Sequence, residues 1–92
     1  MNTSIQVSIV SDSAMQKLNK KYKGKNVPTD VLSFEIKNKT PDGNFLLGEV
    51  IVNKDQAKRQ AAEYNNDYEH EIADLAAHGI LHLFGVHHKE HA

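Results

Sequence analysis

Four of the six histidines in this chain of 92 residues lie in one segment, HGILHLFGVHH, which begins at His78. His78 and His82 are four residues apart in an apolar run, and on a helix such a pair projects from one face. Zinc sites of metallohydrolases use imidazoles at this spacing. A third imidazole, from His87 or His88, could reach the same point if Gly85 ends the helix. Three histidines would leave a fourth coordination position open for water, as in catalytic zinc sites.

The residue after the first histidine separates this segment from helical zinc proteases. Those enzymes carry H-E-x-x-H, in which the glutamate is the general base that deprotonates the attacking water. Gly79 occupies that position here and has no side chain. A peptide hydrolase is therefore the least favoured of the metal-dependent activities. The alternative to a metal site is that these histidines are core or surface residues that share no ligand.

Composition limits the class of protein. Hydrophobic residues at 39% and charged residues at 25% are ordinary for a soluble globular protein, and the length predicts one domain over residues 1–92. No apolar run is long enough to span a membrane and no leader is recognisable, so we expect a cytoplasmic protein without a membrane partner. Cysteine is absent, so a transition metal would need His, Asp or Glu ligands.

The net charge of −1 conceals an asymmetry between the two parts of the chain. Residues 1–40 carry seven lysines against three acidic residues, whereas residues 41–92 carry four basic residues against nine acidic ones. Five lysines fall within nine positions: Lys17, Lys20, Lys21, Lys23 and Lys25. This cluster indicates either a solvated helix face or an electrostatic contact with a polyanion such as nucleic acid.

Hydrophobic spacing and turn residues predict the elements that must position these side chains. Met15, Leu18 and Tyr22 are spaced to face a core from the first helix, and turn formers over 40–44 favour a hairpin between the second and third strands. The predicted elements are a strand over 4–10, a helix from Ser11 or Asp12 to Gly24, strands over 31–36 and 46–52, a helix over 54–64 capped by Asn53, and a helix over roughly 67–84. The order βαββαα indicates an α+β domain with a small mixed sheet packed against helices.

Three segments in this order resemble the YbeY family of bacterial metal-dependent endoribonucleases. HGILHLFGVHH resembles the signature H-G-x-L-H-L-x-G-Y-D-H, and LNKKYKGKNVPTDVLSFE, residues 18–35, resembles L-N-x-x-Y-R-G-K-x-x-P-T-D-V-L-S-F. LLGEVIVN, residues 46–53, resembles L-L-G-D-I-V-I. The resemblance implies a zincin-like fold and cleavage of single-stranded RNA, with a role in rRNA maturation and ribosome biogenesis. The implied partners are rRNA and the ribosome or its assembly factors, and not DNA.

The resemblance also implies the metal site. It assigns one Zn²⁺ per chain to His78, His82 and His88, because His88 aligns with the last histidine of the signature. His87 stands where the family has Asp, and we favour a position outside the metal shell for it. Members of the family usually carry a further strand and helix before Ser4 and a helix after His88. We therefore expect this chain to expose a sheet edge or an apolar surface.

The second matching segment supplies the implied substrate contacts. Lys23 stands at the family's Arg position, which binds the phosphate or assists cleavage, and Lys keeps the charge without the two-pronged fork. Lys25 and Thr29 are further substrate-binding candidates, although Thr29 could equally cap an element. Asp30 is expected to orient Lys23 or a ligand histidine, or simply to stabilise a turn. The substitution at Lys23 keeps open a second hypothesis, a catalytically weak or inactive metalloprotein that binds RNA or the ribosome.

Overall fold

The protein, described over residues 2–85 by a computed structural model, contains three strands and three helices in the order βαββαα. The elements are β1 (Thr3–Val10), α1 (Asp12–Lys23), β2 (Val31–Lys39), β3 (Phe45–Asn53), α2 (Lys54–Glu63) and α3 (Tyr68–Leu83). This order and the three-stranded mixed sheet confirm the predicted α+β class. Within residues 2–85, the structure contains no helix with the length and apolarity needed to cross a membrane.

Each helix begins at a short polar residue that accepts a backbone hydrogen bond. Ser11 accepts from the amide of the first turn of α1, Asn53 accepts from two amides of α2, and Asp67 accepts from the first turn of α3. These side chains satisfy backbone N–H groups that have no partner inside the helix. Gly24 ends α1 in the left-handed region, at φ 74°, where glycine carries no steric penalty. The predicted cap at Asn53 is confirmed, and of the two predicted candidates for the start of α1, Ser11 is the cap.

β3 is the central strand of the sheet. It pairs in parallel with β1 and antiparallel with β2, which confirms the predicted hairpin between β2 and β3. β2 continues past the predicted end at Ile36 as far as Lys39. The ladder shifts register between Glu35 and Asn38, and Lys37 within the shift has φ 53°. Such an irregularity bends the strand and interrupts the alternation of apolar residues from which strands are predicted.

Helices cover both faces of the sheet. Val50 and Val52 of β3 point to one face, where they form a buried cluster with Ala57 of α2 and with Leu75 and Leu83 of α3. Ile51, between the two valines, points to the opposite face. There it packs with Met15 of α1 and Leu32 of β2 in a second buried cluster. The sheet is therefore the middle layer between α1 on one side and α2 with α3 on the other.

Several apolar side chains of the described residues remain exposed outside these clusters. Val7 and Ile9 of β1 are exposed. The predicted core position of Tyr22 is wrong, because 52% of this residue is exposed. Helix α1 is anchored at Met15, and its last turn carries Tyr22 beyond the buried cluster, where the ring contacts that of Phe34.

Candidate functional site

A cavity of about 620 Å³ lies over β2, between the end of α1 and the second half of α3. Its walls come from α1, β2 and the loop that joins them, and from α3, which is distant in the sequence. All the described residues that the sequence predicts for the site line it: Lys23, Lys25, Thr29, Asp30, His78 and His82. Ser33 and Glu35 of β2 and Asn19 of α1 line it as well, and sequence reasoning did not single them out.

The two histidines reach the cavity because of how α3 lies on the sheet. Leu75, Gly79 and Leu83 are buried at four-residue spacing and form the stripe of α3 that packs against the sheet. His78 and His82 each lie one position before a member of that stripe, so they form a neighbouring stripe at the helix edge. Both are half-buried and line the cavity. Packing of the apolar stripe thus turns the imidazole pair towards the lysines.

Gly79 lies close against the sheet. A Cβ atom at this position would lie 2.5 Å from Cγ1 of Val50 and 2.9 Å from Oγ of Ser33. The Ser33 hydroxyl donates a hydrogen bond of 2.9 Å to the Gly79 carbonyl. A glutamate here would meet the sheet instead of the cavity. Glycine therefore has a packing reason, and the general base of zinc proteases has no room at this position.

The basic wall of the cavity is held by the end of α1. Lys23 is the last residue of the helix, and Lys25 follows the left-handed turn at Gly24; both lysines are exposed. Asn19, on the same helix, is buried and donates a hydrogen bond of 2.8 Å from Nδ2 to the carbonyl of Val27. This bond ties the loop after the helix back onto α1. The fold thus presents two ammonium groups at the cavity from a segment whose backbone is fixed.

Thr29 and Asp30 form the part of the wall next to β2. The Thr29 hydroxyl donates to Asp30 Oδ1 over 3.4 Å, a long hydrogen bond. Their carbonyls accept from Asn53, whose Nδ2 lies 3.1 Å from the Thr29 oxygen and whose backbone nitrogen lies 2.8 Å from the Asp30 oxygen. Asn53 is fully buried, so it joins this wall to the centre of the molecule.

The same asparagine connects the site to an ion pair on the surface. Asn53 Nδ2 donates to Asp12 Oδ1 over 2.7 Å, and Arg59 grips both oxygens of that carboxylate at 2.8 and 2.9 Å. The hydrogen bonds from Arg59 and then from Asn53 lower the pKa of Asp12 from its ordinary value of 3.8 to about 2. This network joins the starts of α1 and α2 beneath the wall formed by Thr29.

Glu35 places a negative charge at the end of the cavity. Its carboxylate forms an ion pair of 2.9 Å with Lys37, and the hydrogen bond and charge of that lysine lower the pKa of Glu35. The group is therefore ionised at neutral pH and accepts hydrogen bonds without donating any. The cavity thus combines lysines at one wall, imidazoles at another and a carboxylate at β2.

The structure describes only part of the predicted metal site. His78 and His82 lie within the described residues, whereas His88, the predicted third ligand, and His87 lie outside them. Among residues 2–85, no three His, Asp or Glu side chains are grouped to hold a metal ion. The described pair nevertheless presents two nitrogen donors one helical turn apart, a donor type that suits zinc.

Comparisons with known proteins agree on one family. The model of the family described as Endoribonuclease YbeY matches residues 1–92. The protein named Endoribonuclease YbeY from Thermodesulfovibrio yellowstonii is 46% identical over 85 residues, which cover 92% of this chain and 54% of that protein. Its namesake from Bacillus subtilis is 38% identical over 93 residues, covering 91% of this chain and 59% of that one. The chain thus spans little more than half the length of these relatives.

A solved structure supports the fold. The solution structure of TM1509 from Thermotoga maritima superposes with a TM-score of 0.63 at 32% sequence identity. The match covers 96% of this chain and 55% of that protein. The arrangement of strands and helices described above is therefore shared with a natural protein of greater length.

Proposed function

The chain belongs to the YbeY endoribonuclease family, and we propose that its cavity is a metal-dependent active site that cleaves single-stranded RNA. The observation that carries this proposal is the meeting of His78 and His82 with Lys23 and Lys25 in one cavity. Imidazoles are ligands for zinc, and lysines neutralise phosphates. Relatives named as endoribonucleases support RNA as the substrate class.

We propose that His78 and His82 hold one zinc ion together with His88. The two described donors fit this ion, because both are nitrogen ligands on one helix face at the wall of an open cavity. When bound, zinc supplies Lewis acidity towards a phosphoryl oxygen and lowers the pKa of bound water towards about 7. The packed stripe of α3 contributes the spacing and direction of the two imidazoles before any ion arrives.

Lys23 is the residue proposed to act on the reacting phosphate. Its ammonium group neutralises the negative charge that develops on the phosphoryl oxygens, and it does so from a helix end whose backbone is fixed. Lys25 binds phosphate beside it. The Thr29 hydroxyl, held now by a long bond to Asp30, can turn to donate to a phosphate oxygen. The carboxylate of Asp30 is proposed to orient Lys23 or a ligand histidine.

The lysine cluster extends the binding surface beyond the cavity. All five of its members are exposed, and two of them, Lys23 and Lys25, line the cavity itself. Neutralising backbone phosphates supplies affinity that does not depend on base sequence and that falls as salt concentration rises. We propose that the RNA follows this surface. Ribosomal RNA, processed in the cytoplasm with ribosome-assembly factors as partners, is the proposed natural substrate.

The experiment that tests this function is cleavage of a labelled single-stranded RNA by the full chain, with and without a chelator. We expect cleavage in zinc, its loss with chelator, and its return when zinc is added in excess. Binding of RNA with no cleavage in zinc would favour the non-catalytic RNA-binding hypothesis. Cleavage of a peptide instead of RNA would contradict the account, because Gly79 has no room for the base of a zinc protease.

A further inference from the structure

Tyr22 has a large aromatic side chain that remains partly exposed to solvent. It lies on the last turn of α1 and is 52% exposed. Its ring centroid is 4.9 Å from that of the half-buried Phe34, and the two ring planes are inclined at 58°. Phe34 therefore supports the tyrosine ring from the sheet and limits its movement. The result is a fixed aromatic surface that remains open to solvent.

A second cavity, of about 370 Å³, lies beside this ring. Its volume is within the range of small-molecule sites. The walls are apolar and aromatic, except for two carboxylates: Leu18, Tyr22, Phe34, Ile36 and Ile51, with Glu35 and Glu49. A flat heterocycle with an apolar face and a polar edge suits such a lining. The nucleobases of RNA have this character.

The second cavity is a direct neighbour of the proposed active site. Glu35 lines both cavities. Tyr22 and Lys23 are consecutive residues, and each lines one of the two cavities at the same helix end. Lys21 adds a cation at this place, because its Nζ lies over the face of the Tyr22 ring, 5.1 Å from the ring centroid. A strand with one phosphate at Lys23 therefore brings an adjoining base to Tyr22.

We propose that Tyr22, supported by Phe34, is a stacking platform for one unpaired base of the RNA next to the phosphate bound at Lys23. This inference rests on the proposed function and adds a binding subsite to it. Aromatic side chains bind unpaired bases by stacking on their faces. The ammonium group of Lys21 must leave the ring face for a base to stack there, and its flexible side chain then lets it neutralise the phosphate of the stacked nucleotide. Because a base in a duplex is already stacked, this subsite selects single-stranded RNA.

The two glutamates give the subsite a preference among bases. Glu35 is held as an acceptor by its ion pair with Lys37, and Glu49 accepts a hydrogen bond of 3.2 Å from the Ser8 hydroxyl. Carboxylates accept hydrogen bonds from the amino groups of cytosine, adenine and guanine. Uracil has no amino group, and its one donor, the N3–H group, lies between two carbonyl oxygens that a carboxylate repels. The subsite should therefore favour bases that carry an amino group over uracil.

The test is binding of fluorescent single-stranded RNA to the full chain in chelator, where cleavage does not interfere. Stacking of one base contributes about 1–3 kcal/mol, so Tyr22→Leu should raise the Kd by about 5- to 150-fold. Tyr22→Phe keeps the ring and should bind within about twofold of the parent chain. Tyr64→Leu is the matched control, because Tyr64 is also exposed but lies at the end of α2. This control should bind as the parent does.

An RNA that contains abasic nucleotides distinguishes the loss of a stacking contact from a loss of protein structure in the variant. On that RNA, Tyr22→Leu and the parent chain should bind alike, because there is no base to stack. An equal loss on both RNAs, or parental binding of the normal RNA by Tyr22→Leu, would overturn the subsite and leave the proposed function standing. If the normal RNA fails to bind the parent chain, the subsite is overturned, and the cleavage assay in zinc decides the proposed function separately.

The base preference has its own comparison. Oligocytidine should bind more tightly than oligouridine, and Glu49→Ala should reduce this difference. Equal binding of the two oligonucleotides by the parent chain would overturn the assignment of the glutamates.

Discussion

Replacing Gly79 with alanine tests how α3 is seated on the sheet. At an open position inside a helix, this change stabilises a protein by up to about 1 kcal/mol, because alanine has the higher helix propensity. At Gly79 the new methyl group would lie 2.5 Å from Val50 Cγ1 and 2.9 Å from Ser33 Oγ. Valine is stiff about χ1 and cannot turn aside without strain. The two effects therefore oppose each other, and their sum decides whether Gly79→Ala raises or lowers the free energy of unfolding.

Overpacking by an added methyl group costs about 1–3 kcal/mol, and two contacts below 3.0 Å place Gly79→Ala near the upper end. After subtraction of the propensity gain of about 1 kcal/mol, we expect a net destabilisation of about 2 kcal/mol. Urea unfolding followed by circular dichroism measures this change in the free energy of unfolding. For a domain of this size, the melting temperature should fall by roughly 8–16 °C.

A double-mutant cycle with Val50→Ala serves as the control. Removing the valine methyl groups makes room for the new one, so the double variant should lose less stability than the sum of the single variants. If Gly79→Ala stabilises the chain by about 1 kcal/mol, as at an open helix position, α3 does not lie on the sheet as described. The stripe that directs the two histidines would then be wrongly placed as well.

Two further outcomes follow from the site and its support. Lys23→Ala should lower the single-turnover cleavage rate by about 10²–10³ and Lys23→Arg should keep or raise it, because arginine can grip two phosphate oxygens. Lys20→Ala should instead weaken RNA binding and reduce the dependence of that binding on salt concentration. Cleavage by Lys23→Ala at the parental rate would contradict the role of Lys23. The ion pair of Asp12 with Arg59 should stabilise the chain fully above pH 3.8 and lose its effect as pH falls towards about 2, because the folded-state pKa is lowered. Asp12→Asn should reduce the loss of stability at acid pH, which urea unfolding at several pH values measures. An unchanged dependence of the free energy of unfolding on pH would contradict this role of the ion pair.

Local chemistry explains which elements the sequence predicts well. Asn53 follows an apolar run and precedes a helical pattern, so both its strand and its capping role are predictable from neighbouring residues. β2 is predicted three residues too short, because the register shift before Asn38 interrupts the alternation there. Tyr22 is misplaced for a different reason. Helical spacing identifies a face but does not show how far along the helix the partner layer extends.

The site shows the same division between local and distant contacts. The spacing of His78 and His82 predicts that they share a face, and both line the cavity. The sequence shows that position 79 has no side chain to act as a general base. It does not show that Gly79 packs against Val50, because only the fold brings these two residues together. Ser33 likewise bonds to a carbonyl 46 positions away. No local pattern contains such a contact, so the residues that support the two histidines could not be predicted together with them.

The zinc content of purified chains tests the central claim most directly. Elemental analysis should find one equivalent of zinc per parent chain and much less than one equivalent in His82→Ala. The matched control is His70→Ala, on the same helix, where the exposed imidazole lies 3.5 Å from Asp74 outside the proposed site. This control should retain one equivalent. A full equivalent of zinc in His82→Ala would contradict the proposed metal site and the mechanism built on it.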